Sequence, residues 1–347
     1  KHMGVPGHQE IEIGLVKLYR VTGDEKYLNL AQFFIEQRGN AEGHKLYGSY
    51  CQDHKPFIEQ EEAVGHSVRA TYLYTGAADV AALTDNQEYI GTLENIWQEM
   101  VYTKTYLTGG IGAEPKHEGF GPAYDLPNAT AYTETCAAIG AMLWNYRMFL
   151  LSGEAKYMDV FERTLYNGFL AGVSLEGDDF FYPNPLEADG IRKFNQGACS
   201  RSPWFNCSCC PVNIVRMMPS LPGYVYAQNQ NEVYINLFVN SITELNVNDQ
   251  LFSIKQQSEY PWDGKIMIDI ETKNMLSAKL KIRIPAWNRN QVLPGDLYSY
   301  LSERNMKISL LVNGDMQQVN VENGYLILDR KWEGNTSIIL DMDMPVR

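Results

Sequence analysis

The sequence has no apolar run approaching the roughly 20 residues needed to cross a bilayer, and no basic-then-apolar leader at its N-terminus. Basic residues are outnumbered, with 29 Lys+Arg against 42 Asp+Glu and a formal charge of −13. That balance excludes duplex nucleic acid as a partner, because affinity for phosphate backbone comes from clustered Lys and Arg. No membrane partner is expected. Cysteine is sparse too, six in 347 residues, unlike the disulfide scaffolds of short secreted chains. What remains is 45% hydrophobic and 20% charged, a globular composition with ample material for a core.

The first half carries helical periodicity. Ile11, Leu15, Leu18 and Tyr19 fall on one face, then Thr22-Gly23-Asp24-Glu25-Lys26-Tyr27 leads into a second stretch ending near Arg38. Similar punctuation recurs at Thr84–Tyr89 and Ser152–Tyr157, with spacings of 62 and 68 between the tyrosines. Helices are expected over about 61–83, 133–151 and 155–169, with another ending near Val101. Three helical hairpins form either an open solenoid or half of a closed six-hairpin toroid whose other half lies upstream. Long polar, aromatic and glycine-rich connections (46–59 and 105–128) have the character of loops that build a site. From about Glu232 the period changes to two, over 233–239, 265–270 and 279–284, and Asn313-Gly314 and Asn323-Gly324 are hairpin dipeptides. An antiparallel β-sandwich over 231–347 is expected after a helical domain over 1–230.

Two carboxylate and thiolate groups stand out. Glu134 and Cys136 lie in one, Cys209 and Cys210 in the other, with Cys207 a fifth candidate for four places. Zinc takes four near-tetrahedral ligands and accepts both sulfur and carboxylate oxygen. Glu134 and Cys136, two residues apart, converge on one ion only where a helix is just beginning. A structural zinc, or simple buried thiols, would use the same residues. Glu118, in a loop of glycines and aromatics, is placed as a general acid would be. Asp125 competes, although before Leu126-Pro127 it fits a turn anchor better. Gly109-Gly110-Ile111-Gly112 lacks the Lys-Ser/Thr of a phosphate loop. His8 and His66 sit at helix starts, where a histidine is structural or functional. Tyr182 is either a site residue or ordinary packing, and Trp204 and Phe205 form a sugar-stacking wall or a cover for the thiols.

The segments PGHQEIE, VGHSVRA, LTGGIGAE, YDLPNATAYTETCAAIG, FFYPNPLE and CSCCPVN together resemble glycoside hydrolase family 127, the β-L-arabinofuranosidases. The resemblance runs from about Pro6 to the end of the chain. It implies an (α/α)6-barrel catalytic domain, here its C-terminal half, followed by β-sandwich structure. It further implies zinc held by Glu134, Cys136, Cys209 and Cys210, with Cys209 as nucleophile and Glu118 as general acid/base. His8, His66 and Tyr182 match sugar-contacting positions.

The expected reaction is retaining exo-hydrolysis releasing L-arabinofuranose from plant glycans or arabinosylated glycoproteins. The rivals are the same mechanism on another pectic sugar, a non-catalytic carbohydrate-binding protein with structural zinc, and a zinc-dependent lyase or epimerase. A carbohydrate is the expected partner, and a homodimer is compatible with it. Unpaired thiols favour the cytoplasm over the periplasm, although zinc ligation protects thiols in either.

Overall fold

The computed structural model describes residues 3–347, which cluster into two compact units. The first holds the described residues up to Ser152, with Val160–Met217 and Gly295–Leu297; the second holds Gly153–Asp159, Met218–Pro294 and Tyr298–Arg347. No helix among the described residues is long and apolar enough to cross a membrane.

The helices are α1 (Ile11–Thr22), α2 (Glu25–Gln37), α3 (Ser67–Thr84), α4 (Gln87–Thr103), α5 (Thr135–Ser152), α6 (Ala155–Arg163) and α7 (Cys209–Met217). Their turns explain the recurring punctuation. Gly23 ends α1 in the left-handed region (φ 69°), and Asp24 then caps α2 by accepting from the Lys26 N–H. Between α3 and α4, Asp85 takes the left-handed position (φ 51°) and Asn86 accepts from the Tyr89 N–H at 3.1 Å. The same polar chemistry thus stops one helix and starts the next.

Within the first unit α3 is central, packing on α1, α2, α4 and α5. Small and apolar residues cover α3 and α5 on nearly every side, and both are buried for most of their length. Their crossing is close because Gly140 faces Thr71. A Cβ on Gly140 would stand 2.2 Å from the Thr71 Oγ1.

Two helix boundaries differ from the periodicity. Helix α3 begins at Ser67 rather than near Glu61, because the His66 ring caps it and residues 61–66 form a loop. The helix expected through Phe169 changes at Thr164 into a π-helical turn, Thr164–Phe169. The widening coincides with loop 108–110, where the Thr164 hydroxyl donates to the Gly109 carbonyl (3.1 Å) and the Gly168 N–H to that of Thr108 (3.2 Å).

The second unit is built on one hydrogen-bonded sheet of nine strands, ordered β1-β2-β5-β9-β6-β7, with β3-β4 joined to β5 and β8 to β9. These are β1 (Tyr226–Asn229), β2 (Glu232–Ile235), β3 (Ser241–Val247), β4 (Gln250–Ser258), β5 (Lys265–Arg283), β6 (Ile308–Val312), β7 (Asp315–Met316), β8 (Val321–Glu322) and β9 (Tyr325–Met342). The segments 265–270 and 279–284, which alternate as separate strands, are one long strand interrupted by an irregularity between Thr272 and Leu276. Pairing is antiparallel except between β2 and β5, which corrects the all-antiparallel expectation. The chain leaves β2, makes the β3–β4 hairpin, and returns in the same direction to place the second half of β5 beside β2. Both Asn-Gly dipeptides form two-residue hairpins with positive φ at each residue, 53° and 86° at Asn313-Gly314 and 49° and 80° at Asn323-Gly324. Inward residues of every long strand, among them Ile254, Ile268, Leu280, Leu326 and Leu340, join one apolar cluster.

Candidate active site

Three helix starts meet around one cavity of ≈ 410 Å³ in the helical unit. His66 caps α3, Glu134 immediately precedes α5, and Cys209 is the first residue of α7. All three line the cavity, with His8, Glu118, Cys136, Tyr182 and Cys207. The unpaired N–H groups and dipoles of helix starts favour negative charge, and thiolates form preferentially there. The helix starts therefore offset part of the cost of burying charge on Glu134 and Cys209.

The ligating atoms of Glu134, Cys136, Cys209 and Cys210 lie within 4.8 Å of one another. Glu134 Oε1 is 3.6 Å from Cys209 Sγ and 3.5 Å from Cys210 Sγ, and the two sulfurs are 4.0 Å apart. Around a tetrahedral zinc, with Zn–S about 2.3 Å and Zn–O about 2.1 Å, ligand separations are about 3.8 Å for S···S and 3.6 Å for S···O. The donor set fits such an ion. Glu134 Oε2 adds to the fit, being buried without a hydrogen-bond partner, a costly state that a cation relieves. Glu134 and Cys136 converge as expected, at the first turn of α5 where the Glu134 carbonyl accepts from Ala138 N–H (3.0 Å).

Electrostatics separate the cysteines. Cys209 is held well below an ordinary thiol, by hydrogen bonds from Cys136 and Cys210 first, and from Tyr182 in addition. The buried Cys210 is pushed up by desolvation, and Cys136 chiefly by its bond to Cys209. Glu134 is pushed far up by complete burial and by the charge on Cys209. Hydrogen bonding thus favours the thiolate form at Cys209 over Cys136 and Cys210. Tyr182 touches it directly, its hydroxyl 3.1 Å from the Cys209 Sγ. The backbone of this tyrosine is fixed beside α5, since the Thr135 N–H donates to its carbonyl (3.0 Å) and its own N–H donates to Asn195 Oδ1 (2.8 Å).

Glu118 arrives from the long loop. The Ser67 N–H and hydroxyl both donate to its carbonyl at 3.0 Å. Gly119 lets the loop lie against Gly65, where a Cβ would stand 2.2 Å from the Gly65 carbonyl oxygen. Glu118 itself has φ 52°, an uncommon conformation for a residue with a side chain. Its Oε1 accepts from the Tyr132 hydroxyl (2.8 Å), and its Oε2 lies 3.2 Å from His66 Nε2. The His66 Nδ1 accepts from Val68 N–H at 3.2 Å. A neutral His66 therefore carries its proton on Nε2 and donates it to Glu118. That bond, followed by the one from Tyr132, holds the Glu118 carboxyl below its ordinary value against the opposing effect of burial. Oxygens of Glu118 and Glu134 come within 4.8 Å of each other.

His8 lines the cavity with its ring 6.2 Å from that of His66 and 6.0 Å from that of Tyr72. Burial lowers its pKa. Cys207 is exposed, at the cavity wall, 3.9 Å from the Tyr182 hydroxyl. Phe205 packs edge-on against Tyr182 with ring centroids 5.7 Å apart, while Trp204 is exposed and lies outside the cavity. Asp125 is exposed in a turn and also stays outside.

Some site features escape the sequence patterns. Helix α7 itself was not expected; Pro211 near its start and the spacing of Ile214 and Met217 were the available signals. Tyr132 gave none beyond being an aromatic near Glu134. A polar network also lines the wall: Asn213 Nδ2 donates to the Tyr72 hydroxyl (2.7 Å), and Arg216 bonds Asn213 Oδ1 (2.9 Å) and Glu10 Oε1 (2.8 Å).

The profile described as β-L-arabinofuranosidase, GH127 catalytic domain, matches residues 1–223, and the one described as the GH127 middle domain matches 232–344. The chain belongs to glycoside hydrolase family 127. Among family 127 relatives, it is 33% identical to the non-reducing end β-L-arabinofuranosidase of Bifidobacterium longum subsp. longum, over 99% of this chain and 54% of that protein. A solved structure described as a GH127 β-arabinofuranosidase is 49% identical, with TM-score 0.93 over 99% of this chain and 52% of that one. The GH127 β-L-arabinofuranosidase from Geobacillus stearothermophilus T6 is 34% identical, with TM-score 0.91 over 100% of this chain and 55% of that one. The chain spans about half the length of these family 127 proteins.

Proposed function

We propose that this protein is a retaining exo-glycoside hydrolase that releases L-arabinofuranose from β-L-arabinofuranosides of plant glycans or arabinosylated glycoproteins. The observation that carries this reading is the pairing within one cavity of Cys209, gathered with Glu134, Cys136 and Cys210, and Glu118, a carboxyl bonded by His66 and Tyr132. Retaining hydrolysis needs a nucleophile and an acid/base on the two sides of a glycosidic bond. Cys209 is the nucleophile and Glu118 the acid/base. Glu134, Cys136, Cys209 and Cys210 would hold zinc, which supplies positive charge that keeps the sulfur deprotonated and directed.

The side chains divide the work. The Tyr182 hydroxyl, 3.1 Å from the Cys209 sulfur, fixes its direction and would donate to it once the sulfur is a thiolate. Glu118 gives its proton to the leaving oxygen, then takes one from water as the thioglycoside at Cys209 is cleaved. A sugar seated over Glu118 removes water from the carboxyl, which raises its pKa and returns the proton that the first step needs. His8 offers a ring nitrogen to a sugar hydroxyl, and His66, both of whose nitrogens are engaged, acts on the sugar through the Glu118 it holds. In architecture, we take the helices as half of an (α/α)6 toroid, since α3 and α5 are buried as inner helices would be. The boundary then falls near residue 230, and the register irregularity between Thr272 and Leu276 is where the long β5–β9 ladder would fold over into a sandwich.

The test is to follow hydrolysis of a synthetic β-L-arabinofuranoside by NMR, with zinc content measured on the same sample. Release of L-arabinose with β configuration first, by zinc-loaded protein, is expected. Inversion would contradict the nucleophile. Release only from other pectic sugars would keep the mechanism and change the substrate. Zinc binding with no turnover would favour a carbohydrate-binding protein.

A further inference from the structure

The cavity that holds Cys209 and Glu118 is also lined along α7 as far as Arg216. Cys209 and Arg216 are seven residues apart on this helix, a rise of about 10 Å. That is longer than one five-membered sugar ring. Asn213 lies between them on the same face, so the side chains mark a line leading outward from the nucleophile. Asn213 is buried, whereas the side chain of Arg216 is 59% exposed and that of its partner Glu10 46% exposed.

The outer end of this line is a built polar surface. Arg216 is steadied on its inner side, by the Tyr72 hydroxyl (3.3 Å) and Asn213 Oδ1 (2.9 Å). On its outer side it donates to Glu10 Oε1 at 2.8 Å. Glu10 stands two residues after His8, and both line the cavity.

We infer that Glu10 and Arg216 form a subsite for the leaving group, recognising a second, uncharged sugar through its hydroxyls. The inference rests on the glycosidase reading above. A guanidinium paired with a carboxylate presents donor and acceptor side by side, which matches neighbouring hydroxyls of a sugar. Because the pair is close to neutral, it gives a carboxylated sugar little electrostatic advantage. An aromatic leaving group has no hydroxyls to offer it.

The test compares two substrates that share the departing arabinofuranosyl unit, a β-L-arabinofuranosyl disaccharide and the p-nitrophenyl β-L-arabinofuranoside. The zinc-loaded full chain is assayed beside Glu10→Gln and Arg216→Ala, and the readout is the ratio of the two kcat/KM values. Each substitution is expected to lower the disaccharide-to-nitrophenyl ratio about tenfold, mainly through KM for the disaccharide. Glu10→Gln keeps the shape of the side chain, so it remains informative if Arg216→Ala disturbs α7. An unchanged ratio, whether both activities fall together or neither falls, overturns the subsite. A parent protein that cleaves neither substrate overturns the glycosidase reading itself, and the subsite with it.

Discussion

Glu118 holds an unfavourable backbone conformation, of the kind that costs about 1–3 kcal/mol and persists only when its surroundings over-determine it. Here Ser67 grips its carbonyl while His66 and Tyr132 grip its two carboxylate oxygens. His66 has two duties, capping α3 through Nδ1 and bonding Glu118 through Nε2. His66→Asn should separate them, because asparagine is a good cap but too short to reach Glu118. Loss of the bond that most lowers the Glu118 carboxyl should raise its pKa. A general acid works while protonated, so the alkaline limb of kcat/KM should move to higher pH; an unmoved or acid-shifted limb would contradict the role. Glu118→Gln should reduce kcat on a poor leaving group by about 10² to 10⁴. Cys209→Ser should lose turnover entirely within detection, as should any variant lacking the nucleophile. Local pattern singled out Glu134, Cys136, Cys209 and Cys210 with Cys207 as a fifth candidate, and Glu118 with Asp125 as a competitor; the geometry brings the first four within 4.8 Å and leaves Asp125 outside the cavity. Tyr132 and Tyr182 were harder, because the contacts that give them work to do come from segments 14 and 27 residues away.

Elements set these residues in register. Helices α3 and α5 present His66 and Glu134 to the same cavity because they cross closely, and Gly140 makes that approach possible. Gly140→Ala should be destabilising by about 1–3 kcal/mol, as overpacked sites are, despite alanine's higher helix propensity. Chemical denaturation measures it, and a stabilised variant would contradict the packing described. The helices with strong turn chemistry were legible: Gly23-Asp24 and Asp85-Asn86 mark real stops and starts. Helix α7 was not, since its nine residues are too few for periodicity to announce. The π-turn at Thr164–Phe169 was invisible for another reason, namely that it accompanies contacts with loop 108–110, 55 residues distant at Thr164 and Gly109. Strand β5 was divided by pattern alone, because its alternation lapses at the irregularity between Thr272 and Leu276.

At the scale of the molecule, the change of hydrophobic period from 3.6 to two separated a helical from a β-rich portion without reference to any contact. The single parallel pair, β2 with β5, could not be read this way, since alternation does not encode strand direction. The metal should contribute to stability as a whole. Four donors gathered from the starts of α5 and α7, with a buried carboxylate oxygen otherwise unpaired, would bind an ion that the unfolded chain cannot hold as well. At a free zinc concentration 1,000 times Kd, saturation is worth about 4 kcal/mol. A strong chelator should therefore lower Tm and zinc should restore it; a Tm indifferent to both would contradict a metal at this cluster. The most direct test of the central claim is peptide mass spectrometry after treatment with a mechanism-based arabinofuranosyl inactivator. An adduct on the sulfur of Cys209 is predicted, and an adduct on Glu118, with Cys209 unmodified, would contradict it.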